Sequence, residues 1–289
     1  MEPTIVAHCH CELGEGPLWN PFDDCLYWAD IAKGRIYRYD PARGEHDLFH
    51  EGQGKIGGFT IQADGSLLLF MERGAIQILR DGELITVVEE IPAERDTRFN
   101  DVIADPTGRV FCGTMPGESH PATLYRLDLD GSLTPVVENV KLANGMGFTP
   151  DGKGFYFTDT AAQKIDLYDY DEETGELLNP RQFVQVPEGD GSPDGLTVDA
   201  EGYVWSARYD GSMVVRYAPD GTEERRVQFP TPNCTSLAFG GEGFGDLYVT
   251  TAIGEGAPPP DEQAGALFRL KPPVSGKPEF LSRILLVSA

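Results

Sequence analysis

The stretch Asn144-Gly-Met-Gly-Phe-Thr-Pro-Asp-Gly-Lys-Gly-Phe-Tyr-Phe-Thr-Asp159 decides the fold. A polar residue opens a short apolar run, a Pro-Asp-Gly turn breaks it, and a second apolar run returns. Runs this short, joined by Pro, Asp and Gly, read as antiparallel strands rather than helices. The pattern recurs along the chain. Its first part reads Glu15-Gly-Pro-Leu-Trp19, Gly57-Gly-Phe-Thr-Ile61, Asn100-Asp-Val-Ile-Ala104, Asp194-Gly-Leu-Thr-Val198 and Thr235-Ser-Leu-Ala-Phe239. Its second part reads Leu26-Tyr-Trp28, Leu67-Leu-Leu-Phe70, Val110-Phe-Cys112, Tyr203-Val-Trp205 and Leu247-Tyr-Val249. From Gly57, Asn100, Asn144 and Asp194 the turn glycine lies eight residues further on each time. Strand register is therefore comparable between copies.

The repeat returns about every 40–50 residues, the spacing of four-stranded propeller blades. Third strands follow with alternating polarity, as in Arg35-Ile-Tyr-Arg-Tyr39 and Lys164-Ile-Asp-Leu-Tyr168. Fourth strands are fainter, the clearest being Thr86-Val-Val88, Thr134-Pro-Val-Val137, Arg181-Gln-Phe-Val-Gln185 and Arg226-Val-Gln-Phe229. The expected fold is an all-β, six-bladed β-propeller with four-stranded blades around a central channel, a single domain over residues 1–289. A ring must also close, because an open one leaves an unpaired sheet edge. Thr4-Ile-Val-Ala-His8 is expected to pair with the last blade, beside Ser282-Arg-Ile-Leu-Leu-Val287. The run Ala257-Pro-Pro-Pro-Asp261 reads as a loop of the sixth blade.

The formal net charge is −24 and only seven of the 23 basic residues are lysine. Such a surface repels phosphate backbones, so no nucleic-acid partner is expected. It also suits a salty cytoplasm, where screening removes self-repulsion. No apolar run is long enough to span a membrane. The start, Met1-Glu-Pro-Thr-Ile-Val, lacks the pattern of a secretion signal. Five cysteines with no C-x-x-C pair fit a reducing compartment. A cytoplasmic monomer is expected.

Glu15, Asn100, Asn144 and Asp194 share one position of the repeat, at the head of the innermost strand. Asn or Asp ahead of a strand often only satisfies turn backbone groups. Four oxygen-bearing side chains at ring-equivalent positions point instead to convergence on one axis and to a hard cation. Ca²⁺, Mg²⁺ or Mn²⁺ fits such donors, with Fe²⁺ and Zn²⁺ as alternatives.

The motifs Leu13-Gly-Glu-Gly-Pro-Leu-Trp19, Thr97-Arg-Phe-Asn-Asp101, Cys112-Gly-Thr-Met115, Ala143-Asn-Gly-Met-Gly-Phe148 and Ser192-Pro-Asp-Gly-Leu196 resemble the gluconolactonase/regucalcin (senescence marker protein) family, in order and over essentially the whole chain. The resemblance implies a six-bladed propeller hydrolysing an aldonolactone, a pentono- or hexono-lactone, with one divalent metal ion in the channel. Ca²⁺ is the foremost candidate, with Zn²⁺, Mn²⁺, Mg²⁺ or Fe²⁺ as alternatives. It implies Glu15, Asn144 and Asp194 as metal ligands and Asp194 as catalytic acid/base. Arg98, Asn100 and Glu118 would contact the sugar lactone. The chain departs from some relatives at Val102, which replaces a glycine, and in the loop after Met115 that carries Glu118.

Two other readings compete: a propeller hydrolase of other esters or organophosphates, and a non-catalytic Ca²⁺-binding propeller. A sugar-sized polar wall of Arg98, Asn100 and Glu118 argues against the second. Gly52-Gln-Gly-Lys-Ile-Gly57 lacks the helix that a dinucleotide loop needs. His8-Cys9-His10-Cys11 is expected to be structural, since alternate strand residues face opposite ways. Asn233-Cys-Thr235 matters only in a secreted protein. No G-x-S-x-G or H-E-x-x-H motif occurs.

Overall fold

Each repeat folds into a four-stranded antiparallel sheet, and six such sheets make a six-bladed β-propeller. The computed structural model describes residues 1–254 and 262–285, so the Ala257–Asp261 loop lies outside the described residues. Innermost strands run Gly14–Asn20, Ile56–Ile61, Phe99–Ala104, Ala143–Phe148, Ser192–Val198 and Cys234–Gly240. Each packs on the next, and the sixth packs back on the first. No helix among the described residues is long and apolar enough to cross a membrane.

Second strands such as Cys25–Asp30, Leu67–Met71 and Gly154–Asp159 are buried along their whole length, because a neighbouring blade covers each face. That explains their unbroken apolar runs where half-covered strands alternate. The core lies between blades. Phe111 of blade three packs on Phe155 and Phe148 of blade four, with ring centroids 4.9 and 6.2 Å apart, and Tyr170 adds an edge contact to Phe148. Burying each such side chain contributes about 1.5–3 kcal/mol.

Fourth strands were faint in the sequence because they are mostly exposed. Glu45–Glu51 of blade one is almost wholly solvated and carries no apolar alternation, so the sequence pattern missed it.

The ring closes as expected at its beginning and differently at its end. Thr4–Ala7 pairs antiparallel with Leu267–Leu270 and supplies the outer strand of blade six. Beyond it the chain leaves strand geometry and turns at His10, whose φ is 49°. Cys9 Sγ and the Cys11 amide both donate to Gly265 O, at 3.1 and 2.9 Å, so the His-Cys-His-Cys run serves the closing seam.

Of the expected C-terminal stretch, residues 282–285 do not lie beside Thr4–Ala7, and Leu286 and Val287 lie outside the described residues. The segment crosses the face of the ring where the innermost strands end. Ala200 N donates to Ser275 O, Thr197 Oγ1 to Glu279 Oε1, Ser282 N to Ile61 O and Arg283 N to Gly108 O. The strap ties blades five, two and three together across that end. Above it remains a narrow cavity of about 60 Å³ running along the axis, bounded by Glu279 and Phe280 below and Gly16 and Asp101 above.

Candidate active site

At the open end, every innermost strand carries a register irregularity at the same height. In blades three, four and five two residues oppose one on the second strand: Asn100 and Asp101 face Gly113, Asn144 and Gly145 face Thr158, and Asp194 and Gly195 face Ala207. A bulge re-aims the side chains it contains, here toward the axis. Close approach of the strands demands glycine. A Cβ on Gly145 would lie 2.5 Å from Leu196 N, and one on Gly195 2.6 Å from Ser236 Cβ.

Register corrects one equivalence. Glu15 pairs with Ala29 just ahead of its bulge, so Gly16 occupies the place held elsewhere by Asn100, Asn144 and Asp194. Glu15 stands one residue earlier, with Gly16 at φ +52° turning the chain beside it. Glutamate's longer side chain makes up the difference. Its carboxylate lies within electrostatic reach of Asp194, Asp101 and Arg98.

The remaining contacts sort the expected residues. Asn144 Nδ2 donates to Asp194 Oδ1 and, at 3.1 Å, to Thr160 Oγ1. Asn144 Oδ1 is buried with no hydrogen-bond partner. Asn100 is held otherwise: its Nδ2 donates to Ala143 O at 2.9 Å, and Arg98 donates to its Oδ1 at 2.8 Å. Three of the four side chains therefore gather, while Asn100 braces blade three to blade four and orients Arg98. Glu118 stands apart, exposed in the loop after Met115, with its backbone N–H on Asp96 Oδ2 at 2.8 Å.

Electrostatics mark the centre. Burial, then Asp194 and Asp101, push the Glu15 carboxyl well above the usual range. Burial and Asp101 do the same to Asp194, against the Asn144 hydrogen bond and the Arg98 and Arg208 charges. Burial pushes Asp101 up to about 6. Glu15 and Asp194 are thus buried carboxyls that repel each other, with Asp101 and two guanidiniums within electrostatic reach, an arrangement that favours proton uptake or a cation.

Three participants escaped the sequence reading. Asp101 shares the Asn100 bulge, so the second residue of each bulge was the signal. Arg208, fully buried, donates to Tyr217 Oη at 2.6 Å and leaves its Nε unpaired. A lone arginine inside Val204-Trp-Ser-Ala-Arg-Tyr209 was its signal. Tyr209, half-buried, has its phenol raised by burial and then by the charges of Asp210, Asp194 and Glu15.

The donor set fits a hard divalent cation. Among the described residues no three His, Cys, Asp or Glu side chains gather at one point. The third donor here is an amide oxygen, and it is the orphaned Asn144 Oδ1. A buried carbonyl oxygen without a partner, in a neighbourhood of mutually repelling carboxyls, is what a cation would satisfy.

The SMP-30/Gluconolactonase/LRE-like region family matches residues 13–253. The chain is 50% identical to the pentonolactonase XacC of Haloferax volcanii, over 99% of this chain and 100% of that one. It is 34% identical to the 6-deoxy-6-sulfogluconolactonase of Pseudomonas putida, covering 83% of each. The crystal structure of a calcium-binding protein, regucalcin, from Agrobacterium tumefaciens superposes with a TM-score of 0.89 at 26% identity, covering 97% of both chains.

Proposed function

The chain belongs to the SMP-30/gluconolactonase/LRE-like family, and on that premise we propose that it is a sugar lactonase whose substrate is a five-carbon aldonolactone. The substrate class rests on the 50% identity to a pentonolactonase across the full chain. The orphaned Asn144 Oδ1 carries the further reading that the reaction depends on a divalent metal ion, held by Glu15, Asn144 and Asp194. Ca²⁺ is the first choice, because all three donors are hard oxygens.

When bound, the ion supplies Lewis-acid polarisation of the lactone carbonyl and lowers the pKa of water. The chain supplies the rest. Asp194 commits Oδ1 to Asn144 and keeps Oδ2 for a proton, taken from the attacking water and returned to the departing ring alkoxide. Arg98, oriented by Asn100, offers donors to the hydroxyls of the sugar, and Glu118 offers an acceptor from the rim. A reducing, cytoplasmic setting agrees with five cysteines that are all free thiols.

The test is a panel of aldonolactones assayed on chelated protein with single divalent ions added back. Activity should disappear on chelation and return with Ca²⁺ or another hard ion, pentonolactones being turned over fastest. Full activity in chelator would end the metal assignment. Metal binding without turnover of any lactone would favour the calcium-binding reading.

A further inference from the structure

We infer that Asp96 positions the sugar-binding wall, by clamping the loop that carries Glu118 to the strand lead that carries Arg98. The inference rests on the proposal that Arg98 and Glu118 contact the sugar. Asp96 lies two residues before Arg98 and accepts from both ends of a tight loop. Its Oδ2 receives the Glu118 backbone N–H at 2.8 Å, and its Oδ1 faces His120 Nε2 at 3.1 Å. The loop closes on itself through Gly117 N to His120 O at 3.1 Å. The imidazole lies over Gly117 so closely that a Cβ there would meet Nε2 at 2.1 Å.

His120 Nδ1 faces Pro121 O at 3.0 Å, so both ring nitrogens face oxygen acceptors. Only the imidazolium carries a proton on each nitrogen, which makes the Asp96 contact charge-assisted. The base of the clamp is rigid as well. Met115 N donates to Arg98 O at 3.0 Å, Thr97 Oγ1 to Met115 O at 3.1 Å, and Arg73 N to Thr97 O at 2.8 Å. Below the loop, buried Glu94 accepts from Tyr125 Oη at 2.8 Å. Segment 96–98 is thus fixed on one side to blade two and on the other to residues 115–118. Asp96 is the side chain whose removal frees Glu118 without touching Arg98, Asn144 or Asp194.

A residue that only holds another in place acts on substrate through it. Misplacement by about 1 Å can cost on the order of 100-fold, and loss of binding shared by ground and transition states appears in KM. The experiment compares Asp96→Ala, Asp96→Asn, His120→Ala, Glu118→Ala and the Asp96→Ala/Glu118→Ala double variant. Each is assayed on a pentonolactone and on valerolactone, with metal affinity and Tm measured alongside.

Asp96→Ala should raise KM for the pentonolactone about tenfold, leave kcat within about twofold, and leave valerolactone kinetics and metal affinity unchanged. Asp96→Asn, which keeps an acceptor for the Glu118 N–H, should recover most of the loss, and His120→Ala should show a smaller one. In the Glu118→Ala background Asp96→Ala should add almost nothing. An Asp96→Ala protein with normal KM, beside a Glu118→Ala protein with raised KM, overturns the clamp. So does an Asp96 effect that survives undiminished without Glu118. If Glu118→Ala is itself silent, the assignment of Glu118 to the sugar fails and the clamp has nothing to position.

Discussion

Asn144 gives its side-chain amide to Asp194 and keeps its own carbonyl oxygen buried and unbonded. The two residues occupy equivalent bulges of neighbouring blades, so the contact follows from the repeat. It also sets direction: with the NH₂ group turned to Asp194, the oxygen faces away from it. An unsatisfied buried oxygen costs about 1–3 kcal/mol, which a cation would repay on binding.

Glu15→Gln, Asn144→Ala and Asp194→Asn should each lose most metal affinity while the propeller survives. All three sit at the open end of the ring, away from the aromatic packing between blades. Ligand loss should exceed the ~10–100-fold typical of groups one shell further out. Calorimetric titration with Ca²⁺ checks this. Near-native affinity in all three would remove them from the site.

Arg98→Ala and Asn100→Ala should separate. Loss of charged hydrogen bonds to substrate costs about 1.5–3 kcal/mol, so Arg98→Ala should raise KM strongly with metal affinity intact. Asn100 also ties blade three to blade four through Ala143 O, so Asn100→Ala should lower Tm as well. Steady-state kinetics paired with thermal melts distinguish the two. Loss of metal in step with activity would move either residue into the ligand set.

The metal-free site should titrate in a definite sense. Burial pushes the folded Asp101 carboxyl up to about 6, above its ordinary range in the unfolded chain, so the folded chain holds the extra proton between those values. Stability of the metal-free protein therefore falls as pH rises from about 4 to about 6, and Asp101→Asn should remove that part of the fall. Metal binding needs ionised carboxylates, and burial holds Glu15 and Asp194 above the ordinary range, so the rise in Tm caused by Ca²⁺ should grow with pH. Superimposable pH profiles for wild type and Asp101→Asn would contradict the assignment.

The acidic surface makes a separate prediction. With 47 acidic against 23 basic side chains, self-repulsion should weaken as KCl is added. The Debye length falls to about 3 Å at 1 M salt, so Tm should climb from low salt into the molar range. A flat or falling midpoint would leave solubility as the role of the charge.

Much of this was legible in the sequence because propeller repeats write their register in turn glycines. Gly65, Gly108, Gly152 and Gly202 all adopt positive φ, and the strands between them could be placed. The strand Glu45–Glu51 could not, since a solvated outer strand needs no apolar alternation. The course of residues 275–285 was equally hidden, because a strap crossing from blade to blade has no local periodicity. At the site, residue type pointed to Asn144 and Asp194 directly. The one-residue offset of Glu15 and the inclusion of Asp101 depended on bulges, which only the pairing of two strands reveals. Glu118 and its clamp belong to a loop, where neither repeat nor pattern constrains position.

The most direct test of the account compares kcat/KM for a pentonolactone with that for δ-valerolactone, in the Ca²⁺-loaded protein. The proposed wall of Arg98, oriented by Asn100, and Glu118 offers hydrogen bonds that a ligand without hydroxyls cannot make, and discrimination of this kind reaches roughly 10⁴–10⁵ in the best cases. A preference of at least about 100-fold for the pentonolactone is expected, reduced by Arg98→Ala. Equal or faster turnover of valerolactone would contradict a hydroxyl-reading pocket and make the protein a general esterase.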